Sequence, residues 1–182
     1  LMKIVETKLK GCFIIEPTIF GDERGYFFES FNKEKFKELT GTEIEFVQDN
    51  EAFSNKGILR GLHFQKGTFS QAKLVRVVKG KVLDVVVDIR PNSKTFGKQF
   101  SYVLSEENKK QLFIPRGFAH GYSVLEDNTI FVYKCDNFYH PKVEDGIIYN
   151  DTTLNIDWML SDDEIIVSEK DKAQKKFNEL EF

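Results

Sequence analysis

The chain has three histidines, His63, His120 and His140, and the first lies in a chemically suggestive stretch. Residues 57–65 read GILRGLHFQ, an arginine and a histidine among glycines and large apolar side chains. A histidine so placed can pack against backbone groups, ligate a metal, or move a proton near neutral pH. A metal on a small β-barrel usually takes two histidines within a few residues on one strand, and these three are far apart in sequence. Arg60 and His63 would fall on opposite faces of a regular strand. Gly61 lies between them, however, and a glycine inside a strand often marks a bulge that re-aims side chains, so the two groups can meet on the inner side.

Other polar residues stand in similar apolar settings. FVQDNEAFS presents Gln48 and Asn50 on one face, Lys73 opens a β-branched run, PRGFAHGY sets His120 between glycines, and VYKC carries Tyr133. Each has a plain structural alternative: an amide ladder, a snorkelling stem, a turn, a core phenol. Taken as a set along an aromatic-rich β chain, they have the composition of a pocket inside a barrel.

The elements that would position this set are mostly strands. AKLVRVVKGKVLDVVVDIR contains two β-branched runs flanking Lys79-Gly80, which reads as a hairpin. Alternation puts Lys73, Val75 and Val77 on one face, and Leu83, Val85, Val87 and Ile89 on one face of the second run, with Asp84, Val86 and Asp88 opposite. KQFSYVLS, QLFIP, GYSVLED and TIFVYKCDNFY continue a series of short strands, the pattern of an antiparallel sandwich or barrel. Helix is expected only in NKEKFKELTG, capped by Asn32, with Phe36 and Leu39 at helical spacing and Gly41 as its stop. The charged tail SEKDKAQKKFNELEF reads as a surface helix or a frayed end.

Composition narrows the function classes. Eighteen phenylalanines tilt the chain toward pleated sheet. With 26 basic and 29 acidic residues there is no phosphate-backbone footprint, so nucleic acid is not an expected partner. The apolar runs are strand-length, no membrane partner is expected, and the N-terminal residues carry no signal-peptide core. Cys12 and Cys135, not in a CxxC pair, fit a reducing compartment, and a cytoplasmic location is expected. Without a linker or repeat, residues 1–182 are expected to form one domain.

The long segments GDERGYFFE, FVQDNEAFS, ILRGLHFQ, QAKLVRVVKGKVLDVVVDIR, FIPRGFAHGY, VYKCDNFY and LSDDEIIVSEKD occur in the order and spacing of the dTDP-4-dehydrorhamnose 3,5-epimerase family, which the chain resembles from about residue 4 to about residue 173. The resemblance implies a mainly β, cupin-type antiparallel sandwich or jelly roll with a few short peripheral helices. It also implies a homodimer, no metal or organic cofactor, and a role in dTDP-rhamnose biosynthesis on a dTDP-linked 4-keto-6-deoxy sugar. By position, His63 matches the general base, Tyr133 the acid, Asp171 the carboxylate that pairs with the histidine, and Lys73 the cation beside the developing enolate. Arg24, Glu29, Gln48, Asp49, Asn50, Arg60, His120, Glu144 and Lys170 match positions that hold nucleotide and sugar, with Arg24 and Glu29 serving the neighbouring subunit. Tyr139 is the candidate for stacking on the base.

The implied chemistry accounts for these residue types. A C4 ketone acidifies the C–H bonds at C3 and C5, and inverting either carbon means removing a proton from one face and returning one to the other. Histidine suits the base, a carboxylate can fix its tautomer, and a phenol stays protonated to donate. A lysine supplies positive charge where the enolate oxygen develops, and arginine suits a pyrophosphate. The chain departs from the family pattern at YNDT (149–152), Met159, Asp136 and Phe138, none of which is a proposed catalytic group. The alternatives are a single-carbon epimerase or ketoisomerase, a metal-dependent cupin oxygenase, and a non-catalytic sugar-binding barrel.

Overall fold

β-Branched and aromatic alternation dominates the middle of the chain, and the computed structural model, which describes residues 2–181, places fourteen strands there and at the flanks. One sheet has the order β1 (Lys3–Glu6), β2 (Phe13–Glu16), β10 (Gln111–Ile114), β7 (Lys73–Lys79), β12 (Thr129–Cys135), β5 (Gln48–Ser54). The second has the order β13 (Glu144–Gly146), β6 (Ile58–Gln65), β11 (Phe118–Val124), β8 (Lys81–Asp88), β9 (Gln99–Ser105), and β14 (Ile166–Val167) runs parallel to β6. A separate hairpin pairs β3 (Phe20–Asp22) with β4 (Gly25–Phe27). The two large sheets form the mainly β sandwich expected.

The run around Lys79-Gly80 is not a hairpin. β7 pairs with β10 and β12, whereas β8 pairs with β9 and β11, so the chain crosses from one sheet to the other at Gly80. Gly80 has φ +79°, and a Cβ there would lie 2.2 Å from Thr129 Oγ1. The turn is therefore wedged against β12, and only glycine fits. The alternation within both strands is as expected: Val75, Val77, Val82 and Val86 pack between the sheets with Phe118 and Phe131, while Leu83, Val85, Val87 and Ile89 pack on the other side with Trp158 and Leu154.

Helix is scarce. α1 (Lys33–Thr40) is capped by the Asn32 side chain, which accepts from Lys35 N–H at 3.0 Å, and it stops at left-handed Gly41. Phe36 is fully buried against Phe113, but Leu39 is 46% exposed, because the helix covers only the edge of the first sheet. The tail is neither a long surface helix nor a free end. α2 (Glu169–Lys172) is a single turn, and Phe177 N–H is held by Asp151 Oδ2 at 2.8 Å. Among the described residues, no helix is long and apolar enough to cross a membrane.

Asp88 ends β8 as a buried anchor for the following loop. It accepts from Arg90 Nε at 2.8 Å, Ser93 Oγ at 2.5 Å and Thr95 Oγ1 at 2.6 Å. Burial works to raise its pKa, but these donors outweigh it and hold the carboxyl at about 2, below its ordinary 3.8. A depressed folded pKa gives stability that is complete above the unfolded value and lost as pH falls through the folded one. The stability difference between wild type and Asp88→Asn should shrink by about 2 kcal/mol as pH drops from about 5 to about 2. Denaturant unfolding across that range checks it, and a constant difference would refute the assignment.

Candidate active site

The site begins with a misfit between two strands. On β11 His120 faces His63 and Tyr122 faces Arg60, so two steps on β11 match three on β6. The extra residue is the bulge anticipated at Gly61. Gly61 has φ +117°, and a Cβ on it would lie 2.6 Å from Gly121 Cα and 2.7 Å from His120 O. A side chain at this position would drive the strands apart. With the bulge in place, Arg60 and His63 both face a cavity of about 650 Å³ between the sheets.

His63 Nε2 lies 2.6 Å from Asp171 Oδ1. The carboxylate is almost completely buried, and its other oxygen accepts from Gly61 N–H at 3.1 Å. Ser168 Oγ accepts from Asp171 N–H at 3.1 Å, which caps the α2 turn and aims the carboxylate inward. Burial pushes the Asp171 carboxyl up, but the hydrogen bond and charge of His63, with the Gly61 N–H, more than offset this and hold it below the usual range. An ionised Asp171 accepts from Nε2–H, which leaves the lone pair on Nδ1.

The opposite wall comes from the first sheet. In register, Tyr133 faces Val75 and Asn50, while Cys135 faces Lys73 and Gln48, so these side chains share the inner face of β12, β7 and β5. Lys73 Nζ sits 5.6 Å from the centre of the Tyr133 ring. Burial raises the Tyr133 phenol to about 12, and burial lowers the Lys73 ammonium. A histidine of one sheet, paired with a carboxylate of α2, thus faces a protonated phenol and a lysine on the other sheet, across space for a sugar ring.

The floor holds His120, whose Nε2 is 2.8 Å from Asp84 Oδ2. Both are buried, and burial drives them toward their uncharged forms, Asp84 upward and His120 downward. Asp84 Oδ1 is buried without a hydrogen-bond partner among the described residues. Asp84 was not among the expected site residues. Its signal was an acid alternating with valines on the inner face of β8, since a carboxylate buried in such a run requires a partner.

Toward one end the cavity continues into a recess lined by Gln48, Gln65, Tyr139 and Glu144. Tyr139 donates its hydroxyl to Glu144 Oε2 at 2.9 Å, and Glu144 also pairs with Lys170. Three expected residues are not in this chain's cavity. Arg24, in the turn of the β3–β4 hairpin, is exposed and bound to Asp22; Glu29 pairs with Lys35 of α1 at 2.8 Å. Asp49 alternates with Gln48 and Asn50 and so points outward, 2.9 Å from Lys134. Among the described residues, no group of three or more histidine, cysteine, aspartate or glutamate side chains is arranged to hold a metal ion.

Comparison with known proteins places this geometry. The family model for dTDP-4-dehydrorhamnose 3,5-epimerase matches residues 6–179. The Escherichia coli dTDP-4-dehydrorhamnose 3,5-epimerase is 49% identical over 98% of this chain and 96% of its own. The crystal structure of the Elizabethkingia anophelis enzyme of that name superimposes with a TM-score of 0.96 at 53% identity, covering 100% of this chain and 99% of the other. The Legionella pneumophila dTDP-6-deoxy-D-glucose-3,5-epimerase, solved in complex with dTDP-4-keto-L-rhamnose, gives a TM-score of 0.95 at 49% identity over 100% of this chain and 95% of that one. Agreement in sequence and fold across almost the entire length leads to one conclusion: the chain belongs to the dTDP-4-dehydrorhamnose 3,5-epimerase family.

Proposed function

We propose that His63 and Tyr133 carry the two-faced proton transfer by which this epimerase converts dTDP-4-dehydro-6-deoxy-D-glucose to dTDP-4-dehydro-L-rhamnose. The observation that carries this reading is their placement on opposite sheets across one cavity. His63 Nδ1 takes the proton alpha to the ketone, and Asp171 stabilises the imidazolium that forms. Negative charge moves to the C4 oxygen, where the Lys73 ammonium offsets it. Tyr133 returns a proton from the other side. Arg60, His120, Gln48, Asn50, Glu144 and Lys170 hold the sugar and pyrophosphate, and the Tyr139 ring, 48% exposed, is the platform for the thymine. The chemistry needs neither metal nor organic cofactor. A cytoplasmic location fits two free cysteines and a nucleotide-sugar substrate.

The working unit in this proposal is a homodimer. The β3–β4 hairpin leaves Phe20, Tyr26 and Phe27 at 62%, 59% and 69% exposure, an apolar arm that a second copy would cover. Arg24 and Glu29, remote from their own cavity, then complete the neighbour's.

Three outcomes are expected. His63→Ala should retain dTDP binding while deuterium incorporation at C3 and C5, followed by NMR in D₂O, falls at least about 100-fold, and Tyr133→Phe should retain dTDP binding while formation of epimerised product falls by a similar factor; full turnover by either variant would overturn the roles. In an alkaline titration, the phenolate absorbance missing from Tyr133→Phe should emerge with a midpoint at about 12, so turnover should not decline through ionisation of this phenol at about pH 10, where a free tyrosine titrates. Finally, inactive Arg24→Ala and His63→Ala subunits, mixed and allowed to exchange, should recover about a quarter of wild-type activity, because half the dimers are mixed and each holds one intact site. No recovery would place Arg24 in its own chain's site, and an active Arg24→Ala homodimer would place it outside the mechanism.

A further inference from the structure

Gln65 has no part in the proton-transfer scheme, yet every strong hydrogen-bonding position of its amide is aimed at one segment or at the loop beneath it. The side chain is buried, with 6% of the residue exposed, at the end of β6 two residues beyond His63. Its Nε2 donates to Phe138 O at 3.1 Å and to Phe69 O at 2.7 Å, and its Oε1 accepts from His140 N–H at 2.6 Å. The amide therefore grips the carbonyl before Tyr139 and the N–H after it. Tyr139 N–H itself donates to Gln48 Oε1 at 3.0 Å. The surrounding loop adds two ties of the same kind, Gln71 Nε2 to Asn137 O at 2.7 Å and Asn137 Nδ2 to Thr68 O at 3.0 Å. The segment that carries Tyr139 is an irregular connection after β12, without a sheet ladder of its own. Side-chain amides take the place of that ladder.

We propose that Gln65 is a positioning residue for the nucleotide end of the substrate: it fixes the Tyr139 ring plane and thereby sets affinity for the nucleobase. The inference rests on the reading of Tyr139 as the base platform. A ring offered for stacking gives most when it is already immobilised, since ordering it on binding would cost affinity. The same strand then holds the proton-abstracting histidine and, two residues later on the same face, the clamp for the base, so the two ends of the substrate are measured from one rigid element.

Gln65→Met keeps the length and removes all three hydrogen bonds; Gln65→Glu keeps the acceptor for His140 N–H and faces two carbonyls with a carboxylate, providing a second test if the first variant folds poorly. Calorimetric titration with dTDP should show affinity weakened about tenfold in either variant, with inorganic pyrophosphate binding within about twofold of wild type, and kcat at saturation falling far less than kcat/KM. Combined with Tyr139→Ala, Gln65→Met should cost no further dTDP affinity. Unchanged dTDP affinity in both Gln65 variants, equal losses for dTDP and pyrophosphate, or additive losses in the double variant would each overturn the proposal while leaving the Tyr139 platform standing. If Tyr139→Ala alone left dTDP affinity intact, the platform reading would fail, and this inference with it.

Discussion

The constraint on which the site depends is the contact between Gly61 and Gly121. Two backbones approach so closely that neither position has room for a Cβ: one on Gly121 would lie 2.8 Å from Arg60 O. That approach admits one extra residue on β6 and turns His63 toward the same side as Arg60. In a regular strand, one of the two would face the outer layer with Leu62 and Phe64. The Gly61 N–H freed by the bulge is then used, because it donates to Asp171. A single irregularity thus aims the histidine and supplies a donor to the carboxylate that orients it.

Around that point the sandwich divides its interior. One part is an apolar core of Val77, Val82, Leu104 and Val124, rigid because it is close-packed. The rest is a polar cavity in which side chains pair across elements: His63 with Asp171 of α2, His120 with Asp84, Tyr133 beside Lys73. Burial pushes both acids up, but their partners decide where each one settles. Asp171 has a backbone donor as well as an imidazole and stays low, whereas Asp84 has one oxygen without a partner and rises. Similar pairs of side chains thereby differ in character, one holding an imidazole against an oriented carboxylate and the other forming a floor whose charged forms burial disfavours.

Much of this was legible in the sequence because strand alternation is a strict rule. It sorted Lys73 with Val75 and Val77, paired Gln48 with Asn50, and marked Gly61 as a bulge, and the family resemblance named His63, Tyr133 and Asp171. What escaped depended on choices that local pattern does not encode. Lys79-Gly80 suits a hairpin as well as a crossing between sheets, and only the contact with Thr129 distinguishes them. The tail around Asp171 looked like a solvated charged end because a single capped turn carries no periodicity. Asp49, by contrast, was expected in the site from resemblance alone, although alternation with Gln48 and Asn50 already turned it away. Gln65 is chemically ordinary, and its importance lies in three backbone partners that are remote or irregular in sequence.

The crossing at Gly80 bears on how the chain acquires its structure. Strands adjacent in sequence are paired at β1–β2, β3–β4 and β8–β9, but β5 and β7 find their partners only in residues 111–135, and β6 pairs with β11 and, later still, with β13 and β14. Long segments must be closed before those pairings contribute, which makes them slow relative to local hairpins. During synthesis His63 emerges well before β11 and β12, and Asp171 comes last of all. His63 and the strands that close the cavity over it thus come from different halves of the elongating chain, and a partly made polypeptide has the histidine long before it has a pocket around it.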